Sequence, residues 1–213
     1  MPDPAPPPDS SRRARWDERH AAQDPIESTE PDPTLIDEIG SLSPGRALDL
    51  GAGDGRNAVW LAGRGWDVTA VDFSQVALDR GLARAEATGV HVEWELADLL
   101  EWTPRGRSYD LVTLFFIHFP RDERRDVYAR AAAAVAPGGT LLVVGHDRTN
   151  IADGVGGPQD PDVLITAGEV AADLAGFRIA RAETVRRGAA IGNGPIDAIV
   201  RAVRADLAVR AEN

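Results

Sequence analysis

Short apolar runs alternate with amphipathic stretches from residue 34 onward, which is the pattern of parallel βαβ units. The run YDLVTLFF, residues 109–116, reads as an apolar run, as expected of a strand that is covered on both faces. The predicted strands span residues 46–50, 67–72, 90–96, 109–116, 140–144, 177–185 and 195–203. The predicted helices span residues 55–63, 75–87, 121–135 and 168–175.

The last two predicted strands are joined by RRGAAIGNG, a link too short to contain a crossover helix. These two strands are therefore expected to be antiparallel to each other. The predicted fold class is α/β: a doubly wound, Rossmann-like, seven-stranded and mostly parallel sheet with an antiparallel strand near the C-terminus.

The N-terminal 33 residues contain more than half of the 15 Pro and few large apolar side chains. Such a segment cannot bury enough surface to offset its ordering entropy, so residues 1–33 are predicted to be a largely disordered arm. Residues 12–23 lack Pro and Gly, and they form a candidate helix, either a plain surface helix or a lid over a ligand. Residues 34–205 are predicted to be one domain and residues 206–213 a C-terminal tail.

Charge and composition exclude several classes of protein. All 23 basic residues are Arg, against 34 acidic ones, and the net charge of −11 disfavours a nucleic-acid partner. The absence of Cys excludes a disulfide scaffold and a thiolate metal site, and the His spacing predicts no metal. With no secretory leader and no apolar run of membrane-spanning length, we expect a cytoplasmic protein without a membrane partner.

Three glycines at alternate positions follow the first predicted strand. Gly51, Gly53 and Gly55 permit a sharp turn and a close ligand approach. Their D-x-G-x-G-x-G pattern differs from the G-x-G-x-x-G fingerprint of nicotinamide-binding proteins. The carboxylates of Asp49 and Asp54 would repel a pyrophosphate, so the ligand end bound here is predicted to be cationic or zwitterionic. A tight turn with two solvated Asp residues is the alternative.

Acidic residues also end the second and third predicted strands. Asp72 is placed to accept hydrogen bonds from ribose hydroxyls, because ligands of open α/β sheets bind at the carboxyl ends of the strands. Asp98 is placed to accept from an adenine amine, with Leu99 or Phe73 covering the ring. The alternatives are a helix cap for Asp72 and a turn residue for Asp98.

The segments DLGAGDGRNAVWLAGRGWDVTAVDFS, ADLLEW, YDLVTLFFIHFP and APGGTLLVVGHD resemble the class I S-adenosylmethionine-dependent methyltransferases. The continuation GRNAVWLA is similar to the tellurite-resistance and thiopurine-methyltransferase-like branch of that family. The resemblance spans residues 13–185. It implies S-adenosylmethionine as cofactor and methyl transfer, by in-line displacement, to the sulfur, oxygen, nitrogen or metalloid atom of a small-molecule acceptor.

The resemblance also implies the cofactor contacts. The methionine portion is assigned to Asp49, Gly51, Gly53 and Gly55, the ribose to Asp72, the adenine to Asp98 and Leu99, and the space beneath the cofactor to Phe115 or Phe116. Relatives usually carry Tyr where this chain has His20 in the segment WDERH.

Two His residues follow the fourth and fifth predicted strands, where an acceptor is expected. His118 and His146 are candidate general bases, because imidazole titrates near neutral pH. Alternatively, His118 caps its strand and His146 turns the chain. Trp16 in the candidate lid and Arg148 beside the fifth strand are predicted acceptor contacts.

Two other functions share this sequence pattern. One is an NAD-dependent oxidoreductase on the same architecture, which the glycine spacing disfavours. The other is a non-catalytic module that binds S-adenosylmethionine or its demethylated product. A monomer and a homodimer are both compatible with the sequence.

Overall fold

The computed structural model describes residues 8–22, 30–104, 108–188 and 194–205, with side chains from residue 12 onward. The predicted C-terminal tail and parts of the predicted N-terminal arm, residues 1–7 and 23–29, lie outside this range. The described strands are β1 (Arg46–Leu50), β2 (Asp67–Asp72), β3 (Glu93–Leu96), β4 (Tyr109–Phe115), β5 (Val135–His146), β6 (Phe177–Arg186) and β7 (Ile196–Arg204). The described helices are α1 (Pro8–Ala22), α2 (Pro33–Ile39), α3 (Arg56–Gly63), α4 (Gln75–Thr88), α5 (Arg121–Ala134), α6 (Asn150–Asp153) and α7 (Ala167–Asp173), with a 3-10 turn at Pro161–Val163.

The strands form one sheet in the order β3-β2-β1-β4-β5-β7-β6. Neighbouring strands pair in parallel except at β7, which is antiparallel to both β5 and β6. The predicted fold class is confirmed. The strand order reverses between β1 and β4, and open α/β sheets bind ligands at such a switch point, outside the carboxyl ends of the strands.

The antiparallel direction of β7 has a local consequence at this edge. Because β7 runs opposite to β5, its first residues lie beside the last residues of β5, and His146 is paired in register with Asp197. The start of β7 therefore contributes side chains to the same edge of the sheet as the ends of the parallel strands.

The core lies on both faces of the sheet. Leu48 and Leu50 pack in one apolar cluster and Ala47 packs in the other, because successive strand residues point to opposite faces. Helices cover both faces, which explains why the central strands read as continuous apolar runs. In the described part of the chain, no helix combines the length and apolar character needed to cross a membrane.

Helix α2 (Pro33–Ile39) was not predicted, and it places the start of the folded domain before residue 34. The Asp32 side chain caps this helix by accepting a hydrogen bond from the Thr34 amide, and Pro33 suits the first helical position. Leu35 is fully buried, and the Asp32 amide donates to the Asn57 side chain at 2.9 Å. The Pro-rich composition of this segment gave no indication of these contacts.

The remaining differences concern the ends of elements. Strand β3 is shorter than the predicted 90–96, and β5 extends beyond 140–144 at both ends. The Gly-rich segment after β5 contains α6 and the 3-10 turn, which were not predicted. In that segment the Asn150 side chain donates to the Gly156 carbonyl at 2.8 Å and accepts from the Ile196 amide at 2.7 Å. These bonds order a segment whose composition indicates a loop.

Candidate active site

A cavity of about 740 Å³ opens at the carboxyl edge of the sheet, and helix α1 forms part of its wall. This volume lies in the range of small-molecule sites. Neither Gly55 nor Arg148 lines the cavity. The predicted site residues that do line it are Trp16, Asp49, Gly51, Gly53, Asp72, Phe73, Asp98, Leu99, Phe115, His118 and His146.

The glycine turn after β1 is held against β2 by backbone hydrogen bonds. Gly51 and Gly53 have φ values of 70° and 56°, in the left-handed region that favours glycine. The Gly51 amide donates to the Val71 carbonyl at 2.8 Å, and the Gly53 amide donates to the Asp72 carboxylate at 2.9 Å. The turn is therefore fixed in position before any ligand binds.

Gly55 has a different role from the one predicted. Its φ is 73°, and a Cβ atom there would lie 2.3 Å from the ring of Trp94 and 3.3 Å from the Gly81 backbone. Gly55 thus allows α3 to begin close to α4 and β3. Gly55 does not line the cavity, and this close packing accounts for a glycine at its position.

Asp49 presents a buried carboxylate to the cavity. The residue is 2 % exposed, and its Oδ1 accepts a hydrogen bond from the Thr113 hydroxyl at 2.7 Å. Its Oδ2 is buried and has no hydrogen-bond partner among the described residues. Burial, with a smaller contribution from the charge of Asp72, raises the pKa of Asp49 to about 6. A cationic group in the cavity would satisfy this oxygen.

Asp72 anchors the turn and the next helix together. Its Oδ2 accepts from the Gly53 amide and its Oδ1 from the Ser74 amide, both at 2.9 Å. Burial raises the pKa of Asp72 above its ordinary value. Each carboxylate oxygen keeps a second lone pair, so Asp72 can still accept hydrogen bonds from ligand hydroxyls.

Asp98 is engaged by helix α1. Its Oδ1 accepts from the Leu100 amide at 2.9 Å, and its Oδ2 accepts from the Arg12 guanidinium at 2.6 Å. Arg12 lies 5.7 Å from the centre of the Phe73 ring and 5.0 Å from that of Phe119. Arg12 therefore already contacts Asp98 and Phe73, two of the residues predicted to bind adenine.

The rest of α1 extends along the cavity. The rings of Trp16 and His20 are 5.8 Å apart, and the Arg19 guanidinium lies 4.9 Å from the centre of the Trp16 ring. The Ser74 hydroxyl donates to Asp17, which ties α1 to the start of α4. The predicted helix in the N-terminal arm thus contributes to the site. The cavity residues that it adds, which the predicted site did not include, are Arg12, Arg19 and His20.

Two imidazoles lie on the other side of the cavity. The rings of His118 and His146 are stacked at 5.6 Å with an interplanar angle of 18°, and the Phe116 ring is 5.0 Å from that of His146. Burial, followed by repulsion from His146 and Arg19, lowers the pKa of His118 to about 4. His118 is therefore neutral at neutral pH.

His146 is held by a buried carboxylate that sequence reasoning missed. Its Nδ1 lies 2.9 Å from Oδ1 of Asp197, which is 1 % exposed. The other oxygen of Asp197 lies 2.5 Å from Nε of Arg187, whose guanidinium is 5.1 Å from the centre of the Phe116 ring. The only sequence signal for this contact was the antiparallel direction of the last strand, which brings residues distant in sequence together.

The segment after β5 approaches one edge of the His146 ring. Gly157 has a φ of 72°, and a Cβ atom there would lie 2.6 Å from Cδ2 and 2.9 Å from Nε2 of His146. Only a residue without a side chain fits this close to the imidazole.

Arg148 lies outside the cavity, contrary to its predicted contact with the acceptor. Its guanidinium pairs with Glu169 at 3.0 Å, near the start of α7. This ion pair fastens the connection after β5 to the following helix. The expected role in acceptor binding has no support in the position of this side chain.

The cavity thus has two chemically distinct sides. We call Asp49, Gly51, Gly53, Asp72 and Asp98 the acidic wall. We call Phe116, His118 and His146, with Asp197 behind His146, the imidazole wall.

Comparisons with known proteins identify related sequences and folds. A sequence profile described as a methyltransferase domain matches residues 47–139. The chain is 28% identical over 156 residues to a 2-heptyl-1-hydroxyquinolin-4(1H)-one methyltransferase of Mycobacteroides abscessus, covering 71% of this chain and 68% of the relative. It is 32% identical over 138 residues to a ubiquinone biosynthesis O-methyltransferase of Bordetella avium, covering 62% of this chain and 56% of that relative.

The fold is shared with solved structures at low sequence identity. The crystal structure of TehB from Haemophilus influenzae matches with a TM-score of 0.70 at 19% identity, covering 84% of this chain and 64% of that one. At this identity the likeness establishes the architecture of the sheet and its helices.

Proposed function

We propose that this chain is an S-adenosylmethionine-dependent methyltransferase and that it methylates a small-molecule acceptor bound beside His118 and His146. The observation that carries the proposal is the division of one cavity into an acidic wall and an imidazole wall. The first suits a cationic nucleoside, and the second suits a neutral acceptor that loses a proton.

The acidic wall fits the cofactor in charge and shape. Asp49 and Asp72 are buried carboxylates with raised pKa values, and a positive ligand would stabilise their charged forms. We assign the methionine portion to Asp49, Gly51 and Gly53, and the ribose to Asp72. When bound, S-adenosylmethionine supplies an electrophilic methyl group on a positively charged sulfur.

The chain's own contribution is alignment, exclusion of water and removal of a proton. Helix α1 covers the cavity through Arg12 and Trp16, which shields the reacting groups from solvent. Holding donor and acceptor in line is worth about 7 to 11 kcal/mol in favourable intramolecular reactions. Such an enzyme needs few catalytic side chains, and the two imidazoles that line the cavity are the candidates.

Oxygen is the acceptor atom that we favour among sulfur, oxygen, nitrogen and metalloid. One relative is named for a hydroxyquinolinone and another as an O-methyltransferase. The finer assignment to the tellurite-resistance and thiopurine-methyltransferase-like branch rests on the GRNAVWLA continuation, and it is part of the proposal. Two features argue against the oxidoreductase alternative. The glycine spacing does not match the nicotinamide fingerprint, and the acidic wall would repel a pyrophosphate.

The proposal is tested in two steps on the purified full chain. Calorimetry should detect binding of S-adenosylhomocysteine and none of NADH. Incubation with methyl-labelled S-adenosylmethionine and a panel of phenols, thiols, amines and metalloid oxyanions should label at least one acceptor. The variant Asp67→Asn, at an exposed position that begins β2, is the matched control and should bind as the wild type does. A preference for NADH, or no heat with S-adenosylhomocysteine, would refute the proposal.

A further inference from the structure

We infer that Asp197 positions His146 as the general base and that the acceptor therefore presents a protonated aromatic hydroxyl to Nε2 of His146. This inference rests on the proposed function, which it makes more specific by naming a positioning residue and a class of acceptor.

The contact between Asp197 and His146 defines the tautomer of the imidazole. A buried carboxylate is costly unless it is paired, and the described partners of Asp197 are His146 and Arg187. An ionised carboxylate only accepts hydrogen bonds, so Nδ1 of His146 must donate. In a neutral imidazole the lone pair then resides on Nε2, the atom that can take a proton.

The ring of His146 is also fixed from its faces. The Phe116 ring lies 5.0 Å away, with the Arg187 guanidinium beyond it at 5.1 Å from the Phe116 ring, and His118 stacks at 5.6 Å. Phe116 has a φ of 55°, which costs a non-glycine residue about 1–2 kcal/mol. Its amide donates to the Val144 carbonyl at 2.7 Å, so the surrounding sheet maintains this conformation. The strained residue places its ring beside the imidazole, tilted by 44° to it.

His118 is not equivalent to His146. Its Nε2 is buried with no hydrogen-bond partner among the described residues, and no described carboxylate orients its ring. Its pKa of about 4 makes it a weak base at neutral pH. Of the two predicted bases, His146 has the orienting partner. His118 is assigned to the wall against which the acceptor packs.

The proton and electron balance of the transfer follows from this arrangement. A lone pair on the acceptor oxygen forms the new oxygen–carbon bond, and the electron pair of the sulfur–carbon bond stays on sulfur. The hydroxyl proton passes to Nε2 of His146. The resulting imidazolium is balanced by the Asp197 carboxylate, and it returns the proton to solvent after product release.

The class of acceptor follows from the need for a base. An aromatic hydroxyl has a pKa of about 10, so it is protonated at neutral pH and gains from a general base. A metalloid oxyanion reacts without losing such a proton, and a thiol, with a pKa of about 8.5, is ionised to a larger fraction and gains less from a base. The flat rings of Phe116, His118 and His146 offer an aromatic acceptor offset or edge-on packing.

The first test is the tautomer of His146, which requires no turnover. Nitrogen-15 NMR of the His-labelled full chain should show the neutral imidazole of His146 with Nδ1 protonated and Nε2 unprotonated. In Asp197→Asn this signature should change, whereas Asp67→Asn should leave it unchanged. Protonation of Nε2 in the neutral imidazole of the wild type, or an unchanged signature in Asp197→Asn, would overturn the inference.

The second test compares acceptors of different acidity. Wild type should methylate phenol, and Asp197→Asn and His146→Gln should reduce kcat at least 100-fold while S-adenosylhomocysteine binding stays within twofold. With 4-nitrophenol, which is largely ionised at pH 8, both variants should lose less than tenfold. A wild type that binds S-adenosylhomocysteine but methylates only thiols, or no phenol at all, would refute the inference and leave the cofactor assignment intact. Failure to bind would refute the proposed function itself.

Discussion

The acidic wall and the imidazole wall are built in different ways. Asp72 is held by the amide of Ser74, two positions later, and by that of Gly53 in the turn after the neighbouring strand β1, so its position is set within one βαβ unit. His146 is held by Asp197 through a contact between side chains 51 positions apart, which only the sheet topology brings together. The strand ends that carry Asp49, Asp72 and Asp98 can thus be recognised from short motifs, whereas the pairing of His146 with Asp197 depends on how distant strands are arranged.

The largest expected effect is a loss of cofactor affinity on substitution of Asp72 in the acidic wall. Asp72→Ala removes a carboxylate that accepts two backbone hydrogen bonds, and bonds to charged groups contribute about 1.5–3 kcal/mol each. We expect S-adenosylhomocysteine to bind at least 100-fold more weakly, which corresponds to about 2.7 kcal/mol. Isothermal titration calorimetry measures the change, with thermal melting as the check on folding.

The matched variant for this comparison is Asp197→Asn in the imidazole wall. It should leave the affinity for S-adenosylhomocysteine within twofold of wild type. If Asp72→Ala and Asp197→Asn lose the same affinity for S-adenosylhomocysteine, the two walls do not bind separate ligands, and the assignment of the cofactor to the acidic wall is wrong.

The difference between the walls also explains what the sequence could predict. The strand ends and glycine turn marked Asp49, Asp72 and Asp98 correctly as cavity residues, because a motif at the end of a strand is visible in a single segment. Asp197 could not be found in that way, since its role exists only once β7 lies beside β5. The same limit applies to Gly55. The glycine spacing marks the turn, but it does not reveal that the Trp94 ring packs against Gly55.

The second effect, of about tenfold, tests the charge of the acidic wall. Asp49 has a raised pKa of about 6, so its protonated fraction grows as the pH falls through 6 and its attraction for a cationic group is lost. We expect the affinity for S-adenosylhomocysteine to be constant above pH 7 and about tenfold weaker at pH 5. Calorimetry across this range measures it.

Asp49→Asn supplies the control for this pH dependence. The amide oxygen can still accept from the Thr113 hydroxyl, so the fold is retained while the titrating charge is removed. Asp49→Asn should bind S-adenosylhomocysteine more weakly than wild type at pH 7. Its affinity should then change little between pH 7 and pH 5. An unaltered pH profile would show that a group other than Asp49 causes the effect.

The smallest effect concerns Arg12, which pairs with Asp98 at 2.6 Å. An adenine amine that uses the same carboxylate must compete with this guanidinium, and partly exposed ion pairs contribute about 0.2–1 kcal/mol. Arg12→Ala should therefore tighten S-adenosylhomocysteine binding by about two- to fivefold, whereas Arg13→Ala, an exposed neighbour on α1, should change nothing. Added salt should weaken the ion pair and reduce the difference between Arg12→Ala and wild type. Weaker binding by Arg12→Ala would mean instead that Arg12 holds the ligand, and α1 would then belong to the acidic wall as a binding element.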